Sequence, residues 1–174
     1  MALRQILTEP NEVLRQKSLP VDKVDKDLQI LMDDMLETMY AAPGIGLAAI
    51  QVGGPKRVIV LDIEQKEGKK NPLYFINPEI IKKSENLSTY EEGCLSVPGQ
   101  FAEIDRPDRC HIKYLDYNGE KKEINAEGML ATCIQHEMDH LEGILFIDYL
   151  SKLKQSMIIK KLSKQKKAIE RIVV

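Results

Sequence analysis

The sequence contains no tryptophan, and aromatic residues together make up only 5% of it. A hydrophobic core must therefore be built mainly from aliphatic side chains and methionine. Neither sign of charge prevails, because 25 lysines and arginines are balanced by 27 aspartates and glutamates, for a net charge of −2. The chain thus lacks the overall positive field that is typical of nucleic-acid-binding proteins.

Long hydrophobic runs and paired cysteines are also missing. The longest apolar run, residues 45–52, is too short to cross a bilayer and is interrupted by Gly46 and Gln51. The N-terminus has no continuous apolar segment of the kind found in signal peptides, and its Glu9 and Glu12 do not fit a transit peptide. Three widely spaced cysteines argue against a disulfide framework and for a reducing compartment. We therefore expect a cytoplasmic protein with no membrane partner.

The 174 residues have the length of one ordinary domain, and no repeat, low-complexity tract or Gly/Ser linker divides them. We predict a single domain of residues 1–174. Apolar residues at helical spacing predict helices over about 25–40, 126–141 and 149–173. Segments rich in β-branched and aromatic residues predict short strands, with a hairpin turn at Asn118–Gly119, over 58–61, 73–76, 79–83, 110–117 and 120–125.

Strands that are crowded together and joined by hairpins favour antiparallel or mixed sheets over a doubly wound parallel sheet. The predicted fold class is therefore α+β, with the sheets packed around the helix at 126–141 and a further helix at the C-terminus. Within the central helix we expect Met129, Leu130, Cys133, Ile134, Glu137 and Leu141 to lie close to the inward-facing stripe. In the last helix we expect Leu150, Leu153, Met157, Ile158, Leu162 and Ile169 to form the packed flank.

His136 and His140 enclose the pattern H-E-x-x-H inside the predicted central helix. Residues four apart lie on one helix face, so both imidazoles can bind one metal ion. Glu137 follows the first histidine and can take a proton from a water at the metal's open position. We therefore predict a catalytic metal site, which normally has three protein ligands and one water.

The third ligand is open between a carboxylate and a thiolate. Met-turn metalloproteases have a third histidine six residues after the second one, and Phe146 stands at that position here, which excludes that class. Cys94, in a predicted loop of sequence Glu92-Gly93-Cys94-Leu95-Ser96, is a candidate because thiolates bind such metals well. A lone cysteine is nevertheless more often a small buried hydrophobic residue.

A third segment, residues 44–51, ends an apolar run with the neutral amide of Gln51. It lacks the Lys-Ser/Thr ending of a phosphate-binding loop. From the residues alone, a buried glutamine satisfied by the backbone and a functional hydrogen-bond donor are equally good interpretations of Gln51.

Together, these three segments resemble the signature motifs of the peptide deformylase family, closest to its bacterial type, in order and spacing. The motifs are Gly44-Ile45-Gly46-Leu47-Ala48-Ala49-x-Gln51, Glu92-Gly93-Cys94-Leu95-Ser96 and Gln135-His136-Glu137-x-Asp139-His140-x-x-Gly143. The resemblance implies that Cys94, His136 and His140 bind one divalent ion. That ion is Fe²⁺ physiologically in much of the family, with Zn²⁺, Ni²⁺ or Co²⁺ in purified forms.

The resemblance also implies a reaction, the removal of formate from the formylmethionine of nascent peptides. Metal-bound water would attack the formyl carbon, with Glu137 as general base and then as proton donor to the leaving amine. The Gln51 amide and the Leu95 N–H would form the oxyanion hole. The residues implied to border the substrate, apart from His136, are Ile45, Gly46, Glu92, Gly93 and Cys133. Arg106 would support the site from behind by pairing with the buried Glu92.

Two features of the sequence bear on partners. Many family members carry an arginine where this chain has Phe101, which puts anchoring of the peptide backbone there in doubt. The last predicted helix is rich in lysine, and in the bacterial type such a helix can dock on the ribosome. A solvated basic face is the plainer interpretation. We expect a monomer.

Two other functions use the same residues. A metalloendopeptidase would take a carboxylate as third ligand and leave Cys94 and Gln51 without a role. A structural zinc domain would need a fourth ligand from Cys110 or His111, and its lysine-rich helix would bind ribosomal RNA.

Overall fold

The computed structural model describes residues 2–65 and 68–173, and for residues 168–173 it describes the backbone alone. Within these residues the helices are α1 (Lys26–Ala41), α2 (Gly128–Leu141) and α3 (Lys152–Val173). The strands are β1 (Gly46–Ala48), β2 (Val58–Leu61), β3 (Leu73–Lys83), β4 (Leu87–Cys94), β5 (Val97–Pro107), β6 (Arg109–Leu115) and β7 (Lys121–Glu127). The predicted α+β class is confirmed.

Five strands form one antiparallel sheet in the order β1-β2-β3-β6-β7, and β4 pairs with β5 in a separate hairpin. The strands predicted at 73–76 and 79–83 form one continuous strand, β3, and its register shifts between Ile76 and Glu79. Asn77 lies in this irregularity with a φ of 50°. A bulge of this kind breaks the two-residue alternation, so the sequence pattern divides the strand in two.

Both faces of the main sheet are covered by helices. Val58 and Val60 of β2 belong to the cluster formed with α1, whereas Ile59 and Leu61 pack with α2. Since successive strand residues point to opposite faces, β2 is buried along its whole length. The predicted apolar stripe of α1 is confirmed, and the Asp25 side chain caps that helix by accepting from the Leu28 N–H.

The β4–β5 hairpin covers the remaining side of α2. Val97 and Ile104 of the hairpin pack against Leu145, Phe146 and Ile147, which follow α2. Helix α2 is therefore enclosed by the main sheet and the hairpin, as predicted for a central helix. The prediction that Glu92–Ser96 is a loop was wrong for its first half, because β4 extends to Cys94.

Three details of the predicted helices were also wrong. Met129 lies in the first turn of α2 and is 44% exposed. The C-terminal helix begins at Lys152, because Phe146–Tyr149 forms a separate 3₁₀ turn and Leu150 is extended. Within α3, Leu153 and Met157 are exposed while Leu162 is buried, and the side chain of Ile169 lies outside the described residues. No helix in the described part of the chain is long and apolar enough to cross a membrane.

Candidate metal and substrate site

Cys94, His136 and His140 meet at the contact between β4 and α2. Cys94 is the last residue of β4, and the two histidines lie one turn apart on α2. One ligand atom from each lies within 4.8 Å of the others, and the Cys94 Sγ is 3.3 Å from the His140 Nε2. The hairpin therefore brings the thiol to the two imidazoles, as the resemblance implied.

The His136 ring is oriented from behind by a buried ion pair. Its Nδ1 lies 2.8 Å from the Glu92 Oε1, which leaves Nε2 free to bind a metal ion together with Cys94 and His140. Arg106 donates to both carboxylate oxygens of Glu92, at 2.7 and 3.0 Å. Burial would raise the pKa of Glu92, but the hydrogen bonds from His136 and Arg106 outweigh it and lower that pKa. The predicted pairing of Glu92 with Arg106 is present.

A second carboxylate fixes Arg106 in turn. Arg106 Nη1 donates to the Asp139 Oδ2 at 2.8 Å, and the Tyr149 hydroxyl donates to the same oxygen at 2.7 Å. The guanidinium also lies over the Tyr149 ring, 5.0 Å from its centroid. These contacts of Arg106 with Asp139 and Tyr149 were not predicted from the sequence. Asp139 was visible inside the histidine motif, whereas nothing in the local sequence marks Tyr149.

Glu137 lies beside the cluster in a buried position. Its Oε1 is 3.9 Å from the His136 Nε2, and its Oε2 has no hydrogen-bond partner among the described residues. Burial raises the pKa of Glu137 to about 7. A carboxylate with such a pKa can both accept and return a proton near neutral pH.

Gln51 has a fixed amide that satisfies both interpretations from the sequence. Its Oε1 accepts from the Ala48 N–H at 2.9 Å, as in a structural glutamine. Its Nε2 donates to the Ser96 hydroxyl at 2.9 Å and points at the Cys94 Sγ, 3.5 Å away. The NH₂ group is therefore directed towards the cluster. The contribution of Ser96 was not predicted.

A cavity of about 630 Å³ opens next to the cluster, and Leu95 and Glu137 lie in its wall. All the residues that the resemblance assigned to substrate also line it, namely Ile45, Gly46, Glu92, Gly93, Cys133 and His136. Burial raises the pKa of the Cys133 thiol to about 12, so this cysteine stays protonated and is a poor nucleophile or ligand.

Neither Cys110 nor His111, the candidates for the fourth ligand of a structural zinc site, lies at the cluster. Cys110 is buried in the core between the main sheet and α2. His111 lies on the same strand and contacts Asn125 and Glu123 through its two ring nitrogens, at 2.6 and 3.0 Å. One thiolate and two imidazoles, with a free carboxylate oxygen nearby, fit a catalytic metal with an open position.

Comparison with known proteins connects this geometry to one family. A family model described as polypeptide deformylase matches residues 3–156. The peptide deformylase of Pelagibacter ubique is 67% identical over 174 residues, which is all of both chains. The peptide deformylase of Phenylobacterium zucineum is 60% identical over 168 residues, or 97% of this chain and 99% of that one.

Solved structures agree with the sequence relatives. The crystal structure of peptide deformylase from Ehrlichia chaffeensis superposes with a TM-score of 0.92 at 44% identity, covering 96% of this chain and 98% of that one. The structure of the enzyme from that organism in complex with actinonin has a TM-score of 0.89 at 47% identity, covering 95% and 98%.

Proposed function

Because this chain belongs to the polypeptide deformylase family, we propose that Cys94, His136 and His140 hold the metal ion of a peptide deformylase. The enzyme hydrolyses the formamide bond of formylmethionine at the N-terminus of nascent polypeptides and releases formate. The observation that carries the assignment of the ligands is the convergence of their three atoms within 4.8 Å. When bound, the ion supplies Lewis-acid polarisation of the formyl oxygen and lowers the pKa of water.

Glu137 is the general base in this proposal. It takes a proton from the water that attacks the formyl carbon, and it then gives that proton to the leaving amine nitrogen. Its burial at the cavity wall, its raised pKa of about 7 and its unpaired Oε2 support this role. Both proton transfers are possible because the carboxylate contacts the cavity and the metal cluster alike.

Gln51 and Leu95 form the oxyanion hole. The Gln51 Nε2 is fixed towards Cys94 by the Ala48 N–H and the Ser96 hydroxyl, so it needs no rearrangement when charge develops on the formyl oxygen. Leu95 lies in the turn between β4 and β5, next to the proposed ligand Cys94, and contributes its backbone N–H. Donors fixed in advance stabilise the transition state more than mobile ones do.

The cavity binds the methionine side chain, and its wall includes Ile45, Gly46, Glu92, Cys133 and His136. Among the described strands, β4 pairs only with β5, which leaves its other edge available at Gly93. An extended peptide can add to such an edge through main-chain hydrogen bonds. We assign Gly93 to peptide binding on this ground.

The identity of the metal ion depends on its ligands and on which metal the cell supplies. Thiolate and imidazole suit both Fe²⁺ and Zn²⁺, so metal supply decides which one is bound, and we propose Fe²⁺ in the cell.

Residues 1–174 act as one catalytic domain and as a monomer. Because nascent chains exist where translation occurs, we propose that the enzyme acts in the cytoplasm. We also propose that the lysine-rich face of α3, which includes Lys160, Lys161 and Lys164, contacts the ribosome.

Glu137→Ala tests the proposed chemistry. We expect this variant to retain one metal ion per chain, because Glu137 is not a ligand, and to lose at least about 99% of formate release from formyl-Met-Ala. Metal analysis and a formate assay on anaerobically loaded protein measure both. Incubation of the wild type with an unformylated peptide, followed for internal peptide-bond cleavage, separates a deformylase from an endopeptidase, which would cleave such a peptide. Normal formate release by Glu137→Ala would contradict the role of this residue.

A further inference from the structure

Tyr149 lies beside a second cavity, on a different face of α2 from the substrate cavity. This second cavity has a volume of about 370 Å³, and its wall includes Tyr149, Arg106, Asp139 and Gln135. Tyr149 is not among the described residues that line the substrate cavity. Any effect of Tyr149 on the reaction must therefore be transmitted by the residues that it contacts.

The Tyr149 hydroxyl fixes a carboxylate that also binds Arg106. The hydroxyl donates to the Asp139 Oδ2 at 2.7 Å, and the Arg106 Nη1 donates to the same oxygen at 2.8 Å. Burial and the hydrogen bond to Asp139 raise the pKa of Tyr149 to about 12, so the hydroxyl stays protonated and remains a donor. Two donors on one oxygen hold the Asp139 carboxylate in the position where it meets Arg106.

The Tyr149 ring separates the buried guanidinium from solvent. The Arg106 Cζ lies 5.0 Å from the centroid of this ring. Tyr149 is 52% exposed, whereas the side chains of Asp139 and Arg106 are 20% and 5% exposed. Charge pairs are stronger where water is excluded, because the local dielectric constant is lower. The ring therefore strengthens the ion pairs that Arg106 makes.

Arg106 connects Tyr149 to a histidine of the proposed metal site. Its Nε and Nη2 donate to the two carboxylate oxygens of Glu92, and the Glu92 Oε1 lies 2.8 Å from the His136 Nδ1. Hydrogen bonds of this kind set the ring orientation and the basicity of a metal-binding histidine. A continuous series of hydrogen bonds thus runs from the Tyr149 hydroxyl through Asp139 to His136.

We propose that Tyr149 is a positioning residue, which fixes Asp139 and Arg106 and thereby holds the His136 imidazole in the orientation that binds the metal ion. Tyr149 then affects metal affinity and turnover but leaves the affinity for substrate unchanged. This inference rests on the proposed function, since it takes His136 as a metal ligand.

Two substitutions separate the hydroxyl from the ring, since Tyr149→Phe removes only the hydroxyl and Tyr149→Ala removes both. We expect Co²⁺ affinity, and kcat at saturating Co²⁺, to fall roughly 3- to 10-fold in Tyr149→Phe and roughly 10- to 100-fold in Tyr149→Ala. The KM for formyl-Met-Ala should stay within about twofold of wild type, because the substrate does not contact Tyr149. The d–d absorption bands of bound Co²⁺, which report ligand geometry, should shift in both variants.

Tyr117→Phe is the matched control. The Tyr117 hydroxyl also donates to a carboxylate, that of Asp33, at 3.0 and 3.2 Å, and Tyr117 packs in the cluster around α1. This variant loses a hydrogen bond of the same kind, yet it should keep the wild-type Co²⁺ affinity, spectrum and kcat.

Thermal unfolding shows whether each variant is folded, and Tyr149→Phe decides the test if Tyr149→Ala is not. Wild-type Co²⁺ affinity, spectrum and kcat in the folded Tyr149 variants would overturn the proposal. Equal losses in Tyr117→Phe would also overturn it, because they would reflect a general loss of stability. Failure of the Co²⁺-loaded wild type to release formate would instead overturn the proposed function.

Discussion

Gly46 has no side chain, and this leaves the space that the Glu137 carboxylate occupies. A Cβ atom on Gly46 would be 2.7 Å from the Glu137 Oε1 and 3.1 Å from its Cδ. Backbone atoms are not involved in this contact, so the flexible end of Glu137 is what would move. Gly46 thus belongs to the proposed catalytic site although it carries no functional group.

Gly46→Ala should therefore impair turnover without impairing the fold. Displacing a catalytic group by about 1 Å can cost roughly 10²-fold in rate, and we expect a loss of that order in kcat with the metal retained. Gly54→Ala is the control, because a Cβ there would meet its nearest neighbour, the Ala49 carbonyl oxygen, at an ordinary 3.4 Å. Equal kcat values for the two variants would show that kcat does not depend on the position of the Glu137 carboxylate.

Gln51 gives a second prediction at this scale. Gln51→Leu removes the NH₂ donor beside Cys94 while preserving a similar volume in a site that is 1% exposed. We expect kcat to fall by roughly 10²–10³ while metal content stays at one ion per chain. A kcat within a few-fold of wild type would leave the amide a structural role only, through its bond to the Ala48 N–H.

At the level of elements, the end of α2 is packed against the N-terminal segment. The Ser18 N–H donates to the Leu141 carbonyl at 2.8 Å, and Arg15 pairs with Asp148 at 2.6 Å. Gly143 follows α2 with a φ of +75°, and a Cβ on it would be 2.4 Å from the Arg15 carbonyl oxygen. Position 143 therefore requires glycine for its backbone conformation and for this close approach.

Two glycine variants separate these two requirements. Gly53 also has a positive φ, +87°, but nothing lies within 4 Å of a Cβ built there. Gly53→Ala should cost about 1 kcal/mol in unfolding free energy, and Gly143→Ala at least about 2 kcal/mol more, because the Arg15 backbone must move. Urea unfolding of both variants measures the difference. An equal loss of unfolding free energy in the two variants would mean that the Arg15 backbone can move without an energetic cost.

The elements also show where sequence reasoning succeeds. Helix α1 was predicted to within one residue at each end, because one face carries apolar residues at helical spacing and Pro43 follows. The β4–β5 hairpin was missed, because its strands alternate between exposed and half-buried positions and include Gly93, Pro98 and Gly99. The inward-facing positions of this hairpin include the charged side chains of Glu92 and Arg106, so the sequence does not show the usual alternation of apolar and polar residues.

For the whole molecule, the three proposed metal ligands illustrate what spacing can and cannot specify. His136 and His140 follow from helix geometry alone, since they are four residues apart. Cys94 lies 42 positions before His136, and only the family motif connected the two. Asp139 and Tyr149 contact Arg106, which pairs with the Glu92 that orients His136, and these contacts join three elements. Such contacts depend on how the elements pack, so no local pattern records them.

The central claim is that Cys94, His136 and His140 form the metal site of a deformylase. Its most direct test is Co²⁺ loading of the wild type and Cys94→Ala, with absorption spectra and formate release from formyl-Met-Ala recorded on the same samples. We expect a thiolate-to-cobalt charge-transfer band and rapid formate release in the wild type, and neither in Cys94→Ala. A band and full activity in Cys94→Ala would contradict the proposed coordination by this thiolate.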